Sequence, residues 1–206
     1  MSSDIVQGDK TGDEPLSEKL KTFLKHKYKK PGNVFLGVVH RLDRPVSGAI
    51  IFAKTGKALS RLNNMIKERS INKTYWAIVK NKPEKENDHL INYLKKNQKK
   101  NKSFVCSKQT EGSLKAELKY NLIGKSDKFY LLEINLLTGR HHQIRAQLAH
   151  IGSPIKGDIK YGYHTTNKDA SINLHSRKIE FIHPVKKEKM EVLAPVPDDA
   201  LWKYFK

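Results

Sequence analysis

The stretch FLGVVHRLDRPVSGAIIFAKT, residues 35–55, sets two apolar runs on either side of a charged island, His40-Arg41-Leu42-Asp43-Arg44. Residues 34–39 and 49–53 are too apolar to be left in water, and their length and β-branched content predict strands. Pro45 and Gly48 mark the turn between them. A chain that buries both runs must hold the island at the edge of its core. The simplest role for an Asp in such a turn is to hydrogen-bond the backbone at Ser47 or Gly48.

The flanking sequence predicts an α+β fold with a mainly antiparallel mixed sheet flanked by helices and loops. Residues 1–15 are expected to be loose and residues 16–206 to form a single domain, with no repeat or long linker to divide them. Leu16, Leu20, Phe23 and Leu24 predict a helix over 16–28, ended by Lys30-Pro31-Gly32. Thr55 can cap a helix over 57–69 whose apolar stripe is Ala58, Leu62, Met65 and Ile66. KTYWAIVK, residues 73–80, alternates as a strand, with Tyr75, Ala77 and Val79 on one face. Residues 81–112 are lysine-rich and poorly patterned, which predicts a long basic excursion containing a short hairpin. An antiparallel pair over 114–123 and 129–137 follows. Thr138 or Gly139 is then expected to open a helix closed by Gly152, with strands over 172–182 and 190–193 and a short helix over 198–205.

The 206 residues carry 40 Lys and Arg against 21 Asp and Glu, a net charge of +19. So large an excess predicts a polyanionic partner, nucleic acid first, because cations that neutralise phosphates release condensed counterions. An acidic membrane is the rival, but no basic amphipathic helix with an aromatic face supports it. Simple solubility is the plainest alternative. The apolar runs are far shorter than the roughly 20 residues needed to cross a bilayer. The start of the chain lacks a secretory signal and the lone Cys106 cannot form an internal disulfide, so a cytoplasmic protein is expected.

A second polar island, TGRHHQIR at residues 138–145, also lies at a junction between elements. Arg140 or Arg145 there could present a guanidinium fork to a carboxylate. Convergence of the two islands would keep Asp43 ionised in a desolvated pocket. Other chemistries are excluded by spacing. His141, His142 and His150 lack the i, i+4 pairing of a zinc helix and no Cys pair accompanies them, so no metal is expected. Gly-rich phosphate loops are absent, no cofactor is called for, and no second carboxylate stands beside Asp43 for glycoside hydrolysis.

Taken together, these residues resemble the RluA-type RNA pseudouridine synthases. The family's HRLDxxTSG motif stands here as His40 to Gly48, with Val46 in place of Thr. The element LxTGRxHQIR stands as Leu137 to Arg145, and a Gly-x-Pro-Ile-x-Gly-Asp pattern as Gly152, Pro154, Ile155, Gly157 and Asp158. The strand from Lys73 to Ala77 is similar to the family's Tyr-bearing strand. The family's early Asn-Lys-Pro-x-Gly segment is not found, and no S4-like RNA-binding domain is expected. The likeness runs from about Val6 to Pro197.

The resemblance implies the pseudouridine synthase catalytic fold and isomerisation of uridine to pseudouridine in ribosomal or transfer RNA by a monomer. Asp43 would be the catalytic carboxylate, whether by attack on the sugar, attack on the base or proton abstraction. Arg145 would hold Asp43, and Tyr75 would pack under the uracil and handle the carbon-5 proton. Arg41 would fill the gap left by an extruded nucleotide, Arg140 would brace the second motif, and His40, Arg44, His142 and Gln143 would complete the substrate site. The alternatives are a catalytically silent RNA-binding or ribosome-assembly protein on the same fold, a DNA-binding regulator, and a hydrolase releasing free uracil.

Overall fold

The computed structural model describes residues 5–8 and 12–206. The element order is α1 (Leu16–Lys27), β1 (Gly37–Val38), β2 (Ser47–Gly48), β3 (Phe52–Ala53), α2 (Gly56–Lys67), β4 (Asn72–Val79), β5 (Asn87–Asn97), β6 (Lys102–Cys106), β7 (Leu114–Lys125), β8 (Tyr130–Leu136), α3 (Gln143–His150), a 3-10 turn (Ile159–Tyr161), β9 (Leu174–Ile182), β10 (Lys189–Leu193) and α4 (Ala200–Tyr204). Seven strands lie in the order β10-β9-β4-β8-β7-β5-β6, and β2 adds to β9. Every pairing is antiparallel except β2 with β9. The expected α+β class with a mainly antiparallel sheet is what the chain adopts.

β4 sits mid-sheet and both its faces are used. Tyr75, Ala77 and Val79 pack with Leu118, Leu132, Ile134, Ile144 and Leu148, so α3 closes the core on one side. Ile78 and Leu131 meet Trp202 of α4 on the other. Alternation along a strand sends its two side-chain sets to two different covers. Thr55 caps α2 as its spacing predicts, its Oγ1 accepting from the Ala58 amide at 3.1 Å. The α2 stripe packs against Val39, Ala53 and Ile179.

Several expectations need correction. The apolar runs at 34–39 and 49–53 do not form two full strands. They shrink to the two-residue pair β1–β3, and the segment between them bends back on itself and adds its own short strand β2 to β9 instead of continuing their ladder. The hairpin expected within 81–112 is present as β5–β6, paired over five residues, but the segment is not an excursion from the sheet, because β5 also pairs with β7 over eight. Its pattern was hidden because Asn92 occupies an inward position between Leu90 and Leu94, satisfied there by the Gln147 amide at 2.7 Å. α3 starts at Gln143, not at Thr138 or Gly139. Residues 138–142 form a turn in which His142 adopts φ 53°, a left-handed conformation that a helix cannot pass through. At the N-terminus, residues 1–4 and 9–11 of the expected loose segment lie outside the described residues. Ile5 and Val6 are buried, and the carbonyl of Ile5 accepts from the Leu16 amide at 2.7 Å.

The island is clipped to the sheet by backbone contacts. The Val46 amide donates to the Asp43 carbonyl at 2.8 Å, closing a tight turn, and Ala49 N–H donates to the Ser176 carbonyl of β9 at 2.8 Å. Gly48 makes this approach feasible: its φ is +116°, and a Cβ there would overlap the Ser176 backbone. Gly48→Ala is therefore expected to cost about 2 kcal/mol or more of stability, combining strain and displacement of the clip. Urea unfolding monitored by tryptophan fluorescence measures it, and an unchanged midpoint would contradict this account.

Candidate active site

The island turn, the 138–142 turn with α3, and the start of β4 open onto one cleft of about 800 Å³. Its wall includes His40, Arg41, Asp43, Lys73, Tyr75, Arg140, His142 and Arg145. Asp43 reaches the cleft because Leu42 and Val46 on either side of it point into the core. Its side chain remains 30% exposed.

Arg145 organises the polar cluster. It projects from α3 with 6% exposure, and its guanidinium forks onto Asp158, Nε to Oδ2 at 2.7 Å and Nη2 to Oδ1 at 2.8 Å. The remaining arm, Nη1, donates to Asp43 Oδ2 at 3.1 Å. Burial works against the charge on Arg145, but the hydrogen bonds and charges of Asp158 and Asp43 outweigh it and hold the pKa above its ordinary value. A guanidinium is suited to this task, since its planar fork satisfies one carboxylate bidentately and still offers a donor to a second.

Tyr75 is buried beside Asp43 at a β-bulge, where pairing with β9 slips between Thr74 and Tyr75. Bulges re-aim side chains at sheet ends. Burial pushes its phenol up to about 12, and the Asp43 charge acts in the same direction. His142 lies with Nε2 at 3.6 Å from Asp43 Oδ2. Burial, and then the Arg145 charge, push its pKa down to about 2, so the ring is neutral.

The other expected site residues divide. Arg41 is exposed on the cleft wall two positions before Asp43. Arg140 stands at the rim, its Nε donating to the Lys115 carbonyl at 2.9 Å. Gln143 lines the cleft, but its amide is occupied in closing the turn: Oε1 accepts from Thr138 Oγ1 at 2.7 Å and from the Arg140 amide at 3.0 Å, and Nε2 donates to the Glu117 carbonyl at 3.0 Å. His40 Nε2 accepts from the Ile51 amide at 3.1 Å, and burial followed by the nearby Lys73 charge takes its pKa down to about 4. Both therefore brace the site's backbone. Arg44 is not brought to the cleft; it pairs at the surface with Asp13 at 2.8 Å.

Three residues escaped the sequence reading. Asp158, 1% exposed, is the main partner of Arg145, and the Gly157-Asp158 pair was its only signal. Tyr161, three residues on, lies under the Arg145 guanidinium at 5.1 Å. Lys73 lines the cleft with its pKa lowered by burial, and its Nζ makes no hydrogen bond or ion pair to a described residue. Among the described residues no group of three His, Cys, Asp or Glu side chains is placed to hold a metal ion.

Because Arg145 and Asp158 are both buried, removing one leaves the other's charge uncompensated. Asp158→Asn is expected to destabilise the fold by about 3 kcal/mol or more. Asp43→Asn, at a part-exposed position, should cost less than about 1 kcal/mol. Equal losses in urea unfolding would show that Asp158 is not the anchor.

A family model described as RNA pseudouridylate synthase matches residues 4–150, a span that contains both polar islands. Ribosomal large subunit pseudouridine synthase C of Buchnera aphidicola subsp. Baizongia pistaciae is 36% identical over 176 residues, covering 81% of this chain and 55% of that protein. A tRNA pseudouridine synthase C of Vibrio parahaemolyticus is 29% identical over 178 residues, covering 78% of this chain and 72% of that protein. The chain spans about half the length of the ribosomal-subunit relatives it matches. Among solved structures, human RNA pseudouridylate synthase domain containing 4 superposes with a TM-score of 0.76 at 18% identity, over 98% of this chain and 91% of that one, which shows a shared fold. With the fold, the motif order and the family model in agreement, the chain belongs to the RNA pseudouridylate synthase family.

Proposed function

We propose that the protein converts uridine to pseudouridine in RNA, with Asp43 as the catalytic carboxylate. The observation that carries this reading is the position of Asp43: the described cleft wall holds no other carboxylate, and Arg145 grips Asp43 through Oδ2 alone. Relatives named for ribosomal large subunit and for tRNA point to those RNA classes as substrates.

The isomerisation balances within the nucleotide. The C1′–N1 bond breaks, the uracil turns, a C5–C1′ bond forms, and the proton leaving C5 is matched by one gained at N1. Positive character builds at the sugar as the first bond breaks, and a fixed carboxylate stabilises it. Arg145 keeps Asp43 oriented without covering Oδ1, which has no partner among the described residues. Tyr75, with its phenol near 12, keeps its proton at neutral pH and serves the uracil as a packing surface and hydrogen-bond donor. The C5 proton then falls to Asp43. Target uridines in stems must leave the stack, and Arg41 is placed to fill the vacancy.

The charge excess supplies the RNA grip. Lys95, Lys96, Lys99, Lys100 and Lys102 crowd the β5–β6 hairpin. Asn101 at its tip touches His141 Nε2 at 3.1 Å, which brings these cations beside the cleft. Lys73 adds a half-buried amine on the cleft wall.

Two measurements test the reading. RNA tritiated at uridine C5 should lose label to water with the wild-type protein, and Asp43→Asn should be slower by at least about a thousandfold. Equal release would sink the catalytic assignment, and tight binding with no release from either protein would favour the silent RNA-binding alternative. Replacing Lys96, Lys99 and Lys100 with Ala should weaken RNA binding and reduce the slope of log affinity against log salt by ~2 units. An unchanged slope would remove the hairpin from the interface.

A further inference from the structure

Behind Asp43 lies a hydrogen-bonded chain that the mechanism above does not use. Tyr161 Oη is surrounded by three groups: the Ser103 amide at 2.8 Å, the Ser103 carbonyl at 3.2 Å and His142 Nδ1 at 3.0 Å. The opposite nitrogen of the same imidazole, Nε2, looks at Asp43 Oδ2 across 3.6 Å. The His142 ring is clamped in plane by His141, stacked at 3.8 Å, and His141 is held by Ser103 Oγ at 2.9 Å and Asn101 at 3.1 Å.

The protons on this chain can be counted. The Ser103 N–H must donate to Tyr161 Oη, so the phenol has one proton left to place. If that proton goes to the Ser103 carbonyl, His142 must carry its own on Nδ1 to satisfy the phenol oxygen, and a bare Nε2 lone pair then faces the Asp43 carboxylate. If it goes to His142 Nδ1, the ring's proton sits on Nε2 and points at Asp43. Only the second arrangement sets a positive dipole against the anion. Double protonation is opposed by burial and by Arg145. Tyr161 keeps its proton throughout, since burial pushes it up to about 12.

We propose that Tyr161 and His142 form a proton-ordered pair that positions Asp43, with Tyr161 donating to His142 Nδ1 and His142 Nε2–H supplying the second restraint on Oδ2 beside Arg145. This rests on the reading of Asp43 as the catalytic carboxylate. A gap of 3.6 Å is too long for a hydrogen bond, but such contacts tighten when substrate closes the site. His142, expected from the sequence to touch substrate, acts instead through Asp43. Two restraints on one oxygen define the carboxylate plane, where one alone would let it rotate.

The tautomer can be read directly on the protein labelled with 15N at histidine, with the His142 signals identified by their loss in His142→Asn. A neutral ring with its proton on Nε2 is expected at neutral pH; a proton on Nδ1 would overturn the proposal. In single-turnover kinetics Tyr161→Phe, which keeps the ring under Arg145, should slow pseudouridine formation about 10- to 100-fold with RNA affinity unchanged. His142→Gln, whose amide N–H can stand where Nε2–H was, should retain more activity than His142→Asn. The double variant Tyr161→Phe/His142→Asn should be no slower than His142→Asn alone, because the two act as one unit. Additive losses, or losses in affinity instead of rate, would overturn the pairing. A wild-type protein inert toward RNA would defeat the proposed function, while the tautomer would still decide whether the proton-ordered pair exists.

Discussion

The buried guanidinium of Arg145, held between Asp158 and Asp43, is the contact on which the rest of the site depends. A cation with 6% exposure is tolerated inside a protein only when matched by charge and geometry, and Asp158 matches it through two parallel hydrogen bonds. That bidentate pair fixes the plane of the fork, so the direction of the free arm is settled before Asp43 is considered. Asp43 then receives a donor whose position is set by α3 and by the chain after it. A carboxylate held in this way is oriented but still open on one side, the combination that the proposed chemistry at a sugar carbon needs.

The fold is arranged to bring such pieces together. A mainly antiparallel sheet gathers turns at its ends, and each turn carrying a polar residue is tied to a neighbour by the backbone. The Ile172 amide donates to Pro45 at 3.0 Å, Thr138 Oγ1 accepts from the Glu117 amide at 2.8 Å, and Val79 bridges to Ile155. These ties make rigid a region with no regular structure, which allows loops to carry function without losing precision. The left-handed His142 is part of the same arrangement, a local strain retained where the chain must reverse into α3.

Electrostatically the protein has two zones. Its exterior is strongly positive, with lysines concentrated on the β5–β6 hairpin. Its buried imidazoles are neutral: His40 and His175 are pushed down to about 4 and His142 to about 2, in each case first by burial. The cleft therefore presents one carboxylate, neutral imidazoles and the basic side chains of Arg41, Lys73, Arg140 and Arg145, inside a field that draws a polyanion toward it. That division suits the proposed reaction, in which RNA would be drawn in by its charge and a single uncharged ring handled beside one carboxylate.

The amino-acid sequence by itself determined the parts governed by local contrast. The α2 stripe with its Thr55 cap, the alternation of 73–80 and the antiparallel pair after residue 114 follow from side-chain period and turn chemistry, and all are present. The order of motifs was enough to single out Asp43, Tyr75 and Arg145, which share the cleft. Tertiary structure decided the rest. Asn92 sits at a core-facing position where Gln147 of α3 reaches it, so the hairpin in this segment was legible but the incorporation of β5 into the main sheet beside β7 was not. His40 and Gln143 look like ligands in a list of residues and serve as backbone braces in space. The principal partner of Arg145 is Asp158, while Asp43, 102 positions away in sequence, takes the remaining arm. Period and turn chemistry act between near neighbours, whereas the choice of partner for a buried charge is made by packing, which joins residues without regard to their separation along the chain.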